Sequence, residues 1–130
     1  MSKHIMVVDD ELGILTLVEI ILKRHGMMVS KARDAHEALD LLHAQTPDLF
    51  ILDIMMPDID GIELCRRLRA WPQTARTPII ILSARHDARS AEQGLAAGAN
   101  VYIPKTMLHS DLMKQVYTLL GTEAGAVRFA

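Results

Sequence analysis

The sequence predicts an α/β fold built on a doubly wound, five-stranded parallel sheet with helices on both faces. Three observations carry this. Short, nearly continuous apolar runs rich in Ile, Val and Leu recur along the chain, as in strands buried on both faces. Longer amphipathic stretches separate them. The two patterns alternate strictly, which implies parallel pairing through right-handed crossovers.

The elements follow in order. The first strand is read at 5–8 and the first helix at 12–25, where Ile14, Val18, Ile21 and Leu22 share one side by three- and four-residue spacing. Gly26 offers a left-handed stop before a second strand at 27–29. The second helix, 35–44, repeats the pattern with Ala38, Leu39 and Leu42, and ends ahead of Pro47, which disfavours helix in the residue before it. The third strand spans 49–52, and the third helix, 61–70, sets Leu64 and Leu68 one turn apart before Pro72. A fourth strand occupies 79–82. The fourth helix, 87–97, is the weakest, because it carries Gly94 and few large apolar groups. The fifth strand and helix are read at 101–103 and 111–120. Handedness and connection rules favour the flavodoxin-like strand order 2-1-3-4-5, whose ligands bind at the carboxyl ends of the strands.

Composition narrows the function. With 130 residues, 50% of them hydrophobic, the chain suits one domain, read at 1–122 with a short C-terminal tail at 123–130. The formal charge of -2 leaves no surplus of positive charge for direct nucleic-acid binding. Cys65 is the one cysteine, so no internal disulfide forms, and a reducing, cytoplasmic setting is expected. No apolar stretch approaches the ~20 residues that cross a bilayer, so no membrane partner is expected. The six histidines lack metal-ligand spacing and are read as surface or loop residues, and Cys65 as a small, partly buried side chain. Dinucleotide, P-loop, zincin and serine-hydrolase motifs are absent.

The residues just past the strands carry the chemistry. The first strand runs into Asp9-Asp10-Glu11, the third into Asp53, the fourth into Ser83 and the fifth into Lys105. Singly, each has an ordinary explanation: an acidic pair as a helix N-cap, Asp53 as a turn former, Ser83 as a cap, Lys105 as a solvated charge. Jointly, they gather acids, a hydroxyl and an ammonium around one crevice. Two carboxylates ~5 Å apart at an effective dielectric of about 20 repel by roughly 3 kcal/mol, so the acids call for a cation. A hard divalent ion, Mg2+ by its oxygen preference, together with Lys105 neutralises Asp9, Asp10 and Asp53. Such a site suits an aspartate nucleophile that accepts a phosphoryl group, with metal, Lys105 and Ser83 each taking one oxygen.

At this point VVDDE at 7–11, PDLFILDIMMPDIDGIELCRRLR at 47–69, PIIILSA at 78–84 and GANVYIPK at 98–105 resemble the receiver domain of two-component response regulators, over about residues 3–121. The resemblance implies that Asp53 is phosphorylated from a phosphohistidine of a sensor histidine kinase or histidine phosphotransfer protein. It also implies that Asp9 and Asp10 organise Mg2+, with Asp10, Asp53 and the Met55 backbone carbonyl as direct ligands. Ser83 and Lys105 then bind the phosphoryl group, and Tyr102 is the aromatic switch position. The implied output is altered binding of a downstream protein or effector domain through the fourth strand, fourth helix and fifth strand, with phosphorylation-dependent dimerisation among the options. Such a protein is not a turnover enzyme; it catalyses only its own phosphorylation and dephosphorylation. Two alternatives stand beside this: an aspartate-nucleophile phosphatase, which wants an acid where this chain has Met55, and a receiver-like interaction module that takes no phosphate.

Two departures from the family pattern bear on structure. Thr106 stands where most receivers have proline, so the Lys105–Thr106 peptide is expected to be trans, a cis form costing ~3 to 4 kcal/mol there. Leu12, Leu15, Met107 and Leu108 are expected to form an apolar patch on the surface where receivers meet their phosphodonor.

Overall fold

Strand β1 spans His4–Val8, helix α1 Leu12–Arg24, β2 Met28–Ala32, α2 Ala35–Leu42, β3 Leu49–Leu52, α3 Gly61–Ala70, β4 Ile79–Ser83, α4 Ala88–Ala96 and β5 Val101–Pro104. A 3-10 turn, Lys105–Met107, leads into α5, Leu108–Leu120. The computed structural model describes residues 2–84 and 87–121, and the expected tail 123–130 lies outside them. All strand pairs are parallel, in the order β2-β1-β3-β4-β5.

Residue parity along the strands sorts the core into two compartments. Met6, Val8, Phe50, Leu52, Ile79 and Ile81 pack with the inner faces of α2 and α3. Their neighbours Ile5, Val7, Leu49, Ile51, Ile80 and Leu82 pack on the opposite side with α1 and α5. Consecutive side chains of a strand point to opposite faces, so a sheet covered twice needs apolar residues at every position, and the runs read as continuous. Each large aliphatic chain so buried contributes about 1.5–3 kcal/mol relative to exposure.

The exceptions are the two edge strands: β2, which pairs with β1 alone, is fully buried only at Ala32 while Met28 is exposed, and β5, which pairs with β4 alone, is fully buried only at Ile103. This corrects the expectation that every run is buried on both faces. The helix starts follow from their caps. Asp34, Asp60 and Asp87 each accept a hydrogen bond from the backbone N–H three residues on, at 2.8, 2.8 and 2.7 Å. Gly26 closes α1 with φ of 79°, in the left-handed region that glycine tolerates.

Four local expectations change. Leu15 and Leu108 are buried in the compartment beneath α1 and α5, so the apolar patch reduces to Leu12 and Met107, which are exposed. His4 is buried rather than superficial, its Nε2 2.6 Å from the Ser30 Oγ, and Cys65 is fully buried. The last helix starts at Leu108, ahead of the expected 111, because the 3-10 turn at Lys105 runs directly into it. No cis peptide occurs among the described residues, so Lys105–Thr106 is trans as expected.

Candidate functional site

The sheet ladder runs one residue past the ends of β1 and β3 and so fixes two carboxylates side by side. Val8 pairs with Leu52, and beyond them the Asp9 N–H donates to the Ala32 carbonyl at 3.0 Å and the Asp53 N–H to the Val8 carbonyl at 2.9 Å. Asp9 and Asp53 are both buried, whereas Asp10 is exposed at the start of the turn into α1. One carboxylate oxygen from each of Asp9, Asp10 and Asp53 lies within 4.8 Å of the others.

Lys105 enters from the end of β5. Its Nζ stands 3.0 Å from Asp9 Oδ2, 2.8 Å from Glu11 Oε1 and 3.5 Å from Asp53 Oδ2. Burial lowers the proton affinity of this ammonium, but the bonds to Glu11 and Asp9 outweigh it and hold the pKa above the ordinary lysine value. Burial likewise raises the pKa of Asp9, against the Glu11 N–H, which donates to Asp9 Oδ1 at 2.9 Å, and against Lys105. Asp53 is pushed up to about 6, first by burial and then by the Asp9 charge, despite Lys105 and the N–H groups of Met55 and Ile54. More negative charge is gathered here than one ammonium neutralises.

That surplus is the test of whether the residues suit Mg2+. The donors are hard carboxylate oxygens, already gathered within one ion's reach, and Lys105 relieves only part of their mutual repulsion. They fit. Asp9, Asp10 and Asp53 are the side chains that would hold the ion.

The surrounding loop is held by contacts invisible to motif reading. Asp58 accepts from the His36 N–H at 2.9 Å and the Ala35 N–H at 3.3 Å, tying the segment after β3 to the first turn of α2. Slight burial works against it, but the N–H groups of Ile59, His36 and Ala35 keep its carboxyl below the usual range. Gly61, at the start of α3, lies against the end of β3: a Cβ there would come within 2.0 Å of the Asp53 carbonyl oxygen. The Gly61 N–H donates to the Ile54 carbonyl at 2.8 Å. A cleft of about 500 Å³ opens beside the acids, lined by Asp10, Met55, Met56, Pro57, Ser90 and Gln93 among others.

Ser83, the last residue of β4, is buried and in register with Pro104 of β5. Tyr102 is half-buried on β5, its ring edge 3.5 Å from where a Cβ on Gly94 of α4 would sit. The structure thus brings Asp9, Asp10, Asp53 and Lys105 into one cluster, with Ser83 at the same sheet edge and Tyr102 one strand away beneath α4. Glu11 joins the cluster through Lys105, a role its position at the N-cap of α1 did not signal.

The response regulator receiver domain family matches this chain over residues 5–117. The chain belongs to that family. Among curated relatives, the receiver is similar to the response regulator MprA of Mycobacterium tuberculosis strain H37Rv, at 36% identity over all of this chain and 59% of the relative. It is also similar to the phosphate regulon transcriptional regulatory protein PhoB of Rhizobium meliloti, at 42% identity over 92% of this chain and 53% of the relative. The receiver therefore spans just over half the length of these relatives. Among solved structures, a putative response regulator from Chloroflexus aurantiacus aligns with a TM-score of 0.89 at 33% identity, over 93% of this chain and 99% of the other. The BeF3-activated DrrB receiver domain aligns with a TM-score of 0.83 at 30% identity, over the same 93% and 99%.

Proposed function

We propose that this receiver is the phosphoacceptor of a two-component phosphorelay, taking a phosphoryl group from a phosphohistidine of a sensor histidine kinase or histidine phosphotransfer protein onto Asp53. The observation that carries this is the buried Asp53 carboxylate, crowded by Asp9 and facing Lys105 at 3.5 Å. An Asp53 oxygen forms the new P–O bond as the donor's P–N bond breaks, and the imidazole departs with that electron pair. Mg2+, when bound, supplies charge to the phosphoryl oxygens. Asp9, Asp10 and the Met55 carbonyl join Asp53 in holding it. Lys105 pairs with one phosphoryl oxygen and Ser83 donates its hydroxyl to another.

The product carries about -1.5 to -2 in place of one negative charge, with three strong acceptor oxygens. Lys105 and Ser83 move toward it, Tyr102 turns into the space that Ser83 leaves, and the face formed by β4, α4 and β5 changes its affinity for a downstream protein or effector domain. Dimerisation on phosphorylation is one form that output takes. The setting is the cytoplasm, and the functional unit is residues 1–122. The phosphatase reading loses ground at Met55, and an interaction module without phosphate has no use for the charge surplus.

Asp53→Asn is expected to abolish labelling by acetyl phosphate with Mg2+; a variant that still takes label at Asp53's rate refutes the assignment. Partner docking is assigned to Leu12 and Met107, both exposed on the same side as the site. Leu12→Glu should slow transfer from a phosphohistidine donor several-fold and leave acetyl phosphate labelling unchanged. Equal loss of both reactions removes the docking role.

A further inference from the structure

Lys105 is shared among three carboxylates, and its shortest contact is not with the proposed phosphoacceptor. Its Nζ lies 2.8 Å from Glu11, 3.0 Å from Asp9 and 3.5 Å from Asp53. The Lys105 side chain is 10% exposed while that of Glu11 is 61% exposed, so Glu11 reaches over the ammonium from the solvent rim. Although it occupies the N-cap of α1, the Glu11 side chain makes no capping hydrogen bond. Its one ion-pair partner among the described residues is Lys105. The opposing pulls of Glu11 at the rim and of Asp9 and Asp53 in the pocket fix where the ammonium rests.

We infer that Glu11 is a positioning residue, which holds the Lys105 ammonium toward the rim and off Asp53 until a phosphoryl group of greater charge draws it inward. The inference rests on Asp53 as phosphoacceptor. In the unmodified protein the Asp53 oxygen stays unblocked for attack. Once the phosphoryl group is in place, Lys105 leaves Glu11 to pair with it, and the lost Glu11 contact is subtracted from the stability of the phosphorylated state. Glu11 thereby sets how tightly the pocket holds its charge.

Two variants separate the contact from the mere charge. Glu11→Gln removes the charge and leaves at most a weaker, neutral hydrogen bond, whereas Glu11→Asp keeps the charge on a side chain one methylene shorter. The readout is the affinity of the Mg2+-loaded full chain for beryllofluoride, a phosphoryl mimic, measured calorimetrically, with the labelling rate from acetyl phosphate beside it. Both variants should bind beryllofluoride about two- to fivefold more tightly, the size of one partly exposed ion pair. In a Lys105→Met background, which keeps the apolar stem, the gain should vanish. Metal-free crystals of Glu11→Gln should place Lys105 Nζ within direct hydrogen-bonding distance of Asp53.

A tighter Glu11→Gln with an unchanged Glu11→Asp overturns the contact in favour of simple charge. No change in either variant, or a gain that survives in Lys105→Met, overturns the inference outright. A wild-type chain that takes neither label nor beryllofluoride overturns the Asp53 reading itself, a result distinct from a wild type that does both while the Glu11 variants match it.

Discussion

Two cations sit at opposite ends of the sheet, and their surroundings differ in kind. Among the described residues Arg69, on α3, makes five hydrogen bonds, all to neutral oxygens: the carbonyls of Gly98, Thr74, Ala75 and Thr77 at 2.9, 3.2, 3.2 and 2.6 Å, and Asn100 Oδ1 at 2.9 Å. Asn100 Oδ1 also accepts from the Ile79 N–H at 2.8 Å. One guanidinium thus binds together the loops entering β4 and β5. Among the described residues Lys105 faces only charged partners, Asp9, Glu11 and Asp53, and cannot neutralise them all. Neutral acceptors in fixed positions suit a cation that never moves. A surplus of like charge around a flexible ammonium suits an exchange of partners, because a metal or a phosphoryl group can enter and redistribute the contacts. The charge around each cation thus separates a structural Arg69 from the switching role proposed for Lys105.

The sharpest test of that contrast is Arg69→Ala. It strips several part-buried carbonyls of their donor and should cost about 2–4 kcal/mol, or about 10 °C in melting temperature. Labelling per folded molecule should stay within about twofold of wild type, since the substitution touches nothing at the acidic edge. A stability unchanged in thermal melts removes Arg69 as the structural pole of the comparison.

Lys105→Ala should do the reverse. Labelling from acetyl phosphate falls by about a hundredfold, the usual loss on removing one preorganised charge from an anionic transition state. With Mg2+ present the melting temperature changes little, because the ion would relieve the repulsion among the carboxylates that the lost ammonium leaves unpaired. A large loss of stability with the rate preserved exchanges the two roles.

The smallest effect is the pH dependence of the Mg2+ response. The Asp53 pKa of about 6 lies above the ordinary carboxylate value of 3.8, so between those values the folded chain holds a proton that the unfolded chain has released. The contribution of Asp53 to metal-free stability is therefore full below about pH 4 and lost as pH rises through 6. Mg2+ requires the ionised carboxylate, so its stabilisation should be slight at pH 5 and larger by pH 8, read as the rise in melting temperature on adding Mg2+. Equal rises at both pH values show that the ion binds without Asp53.

Much of the fold is legible in sequence because both faces of the sheet are covered and the strands advertise themselves. Asp9, Asp10, Asp53 and Lys105 are legible together because strand ends in a parallel sheet share one edge, and the short distances among them follow from that geometry. What stays hidden depends on side-chain reach or on packing across elements. Glu11 looks like an ordinary residue at a helix start, and only the fold brings a lysine 94 positions later within 2.8 Å of it. Asp58 looks like a turn residue until its contacts with α2 are known. Leu15 and Leu108 look superficial because the resemblance puts them in the segments where receivers meet their phosphodonor, and only the fold packs both into the compartment beneath α1 and α5. The 3-10 turn at Lys105 has no apolar rhythm of its own, so the last helix reads as shorter than it is.

Gly61 carries a lesson for anyone building such a pocket elsewhere. The start of α3 rests on the Asp53 carbonyl with no room for a single added carbon, so the acid's main chain is braced by the helix that follows it. A designer who grafts the aspartates and the lysine onto a new scaffold, without that glycine-led helix, imports the charges but not the vice that keeps the central one aimed.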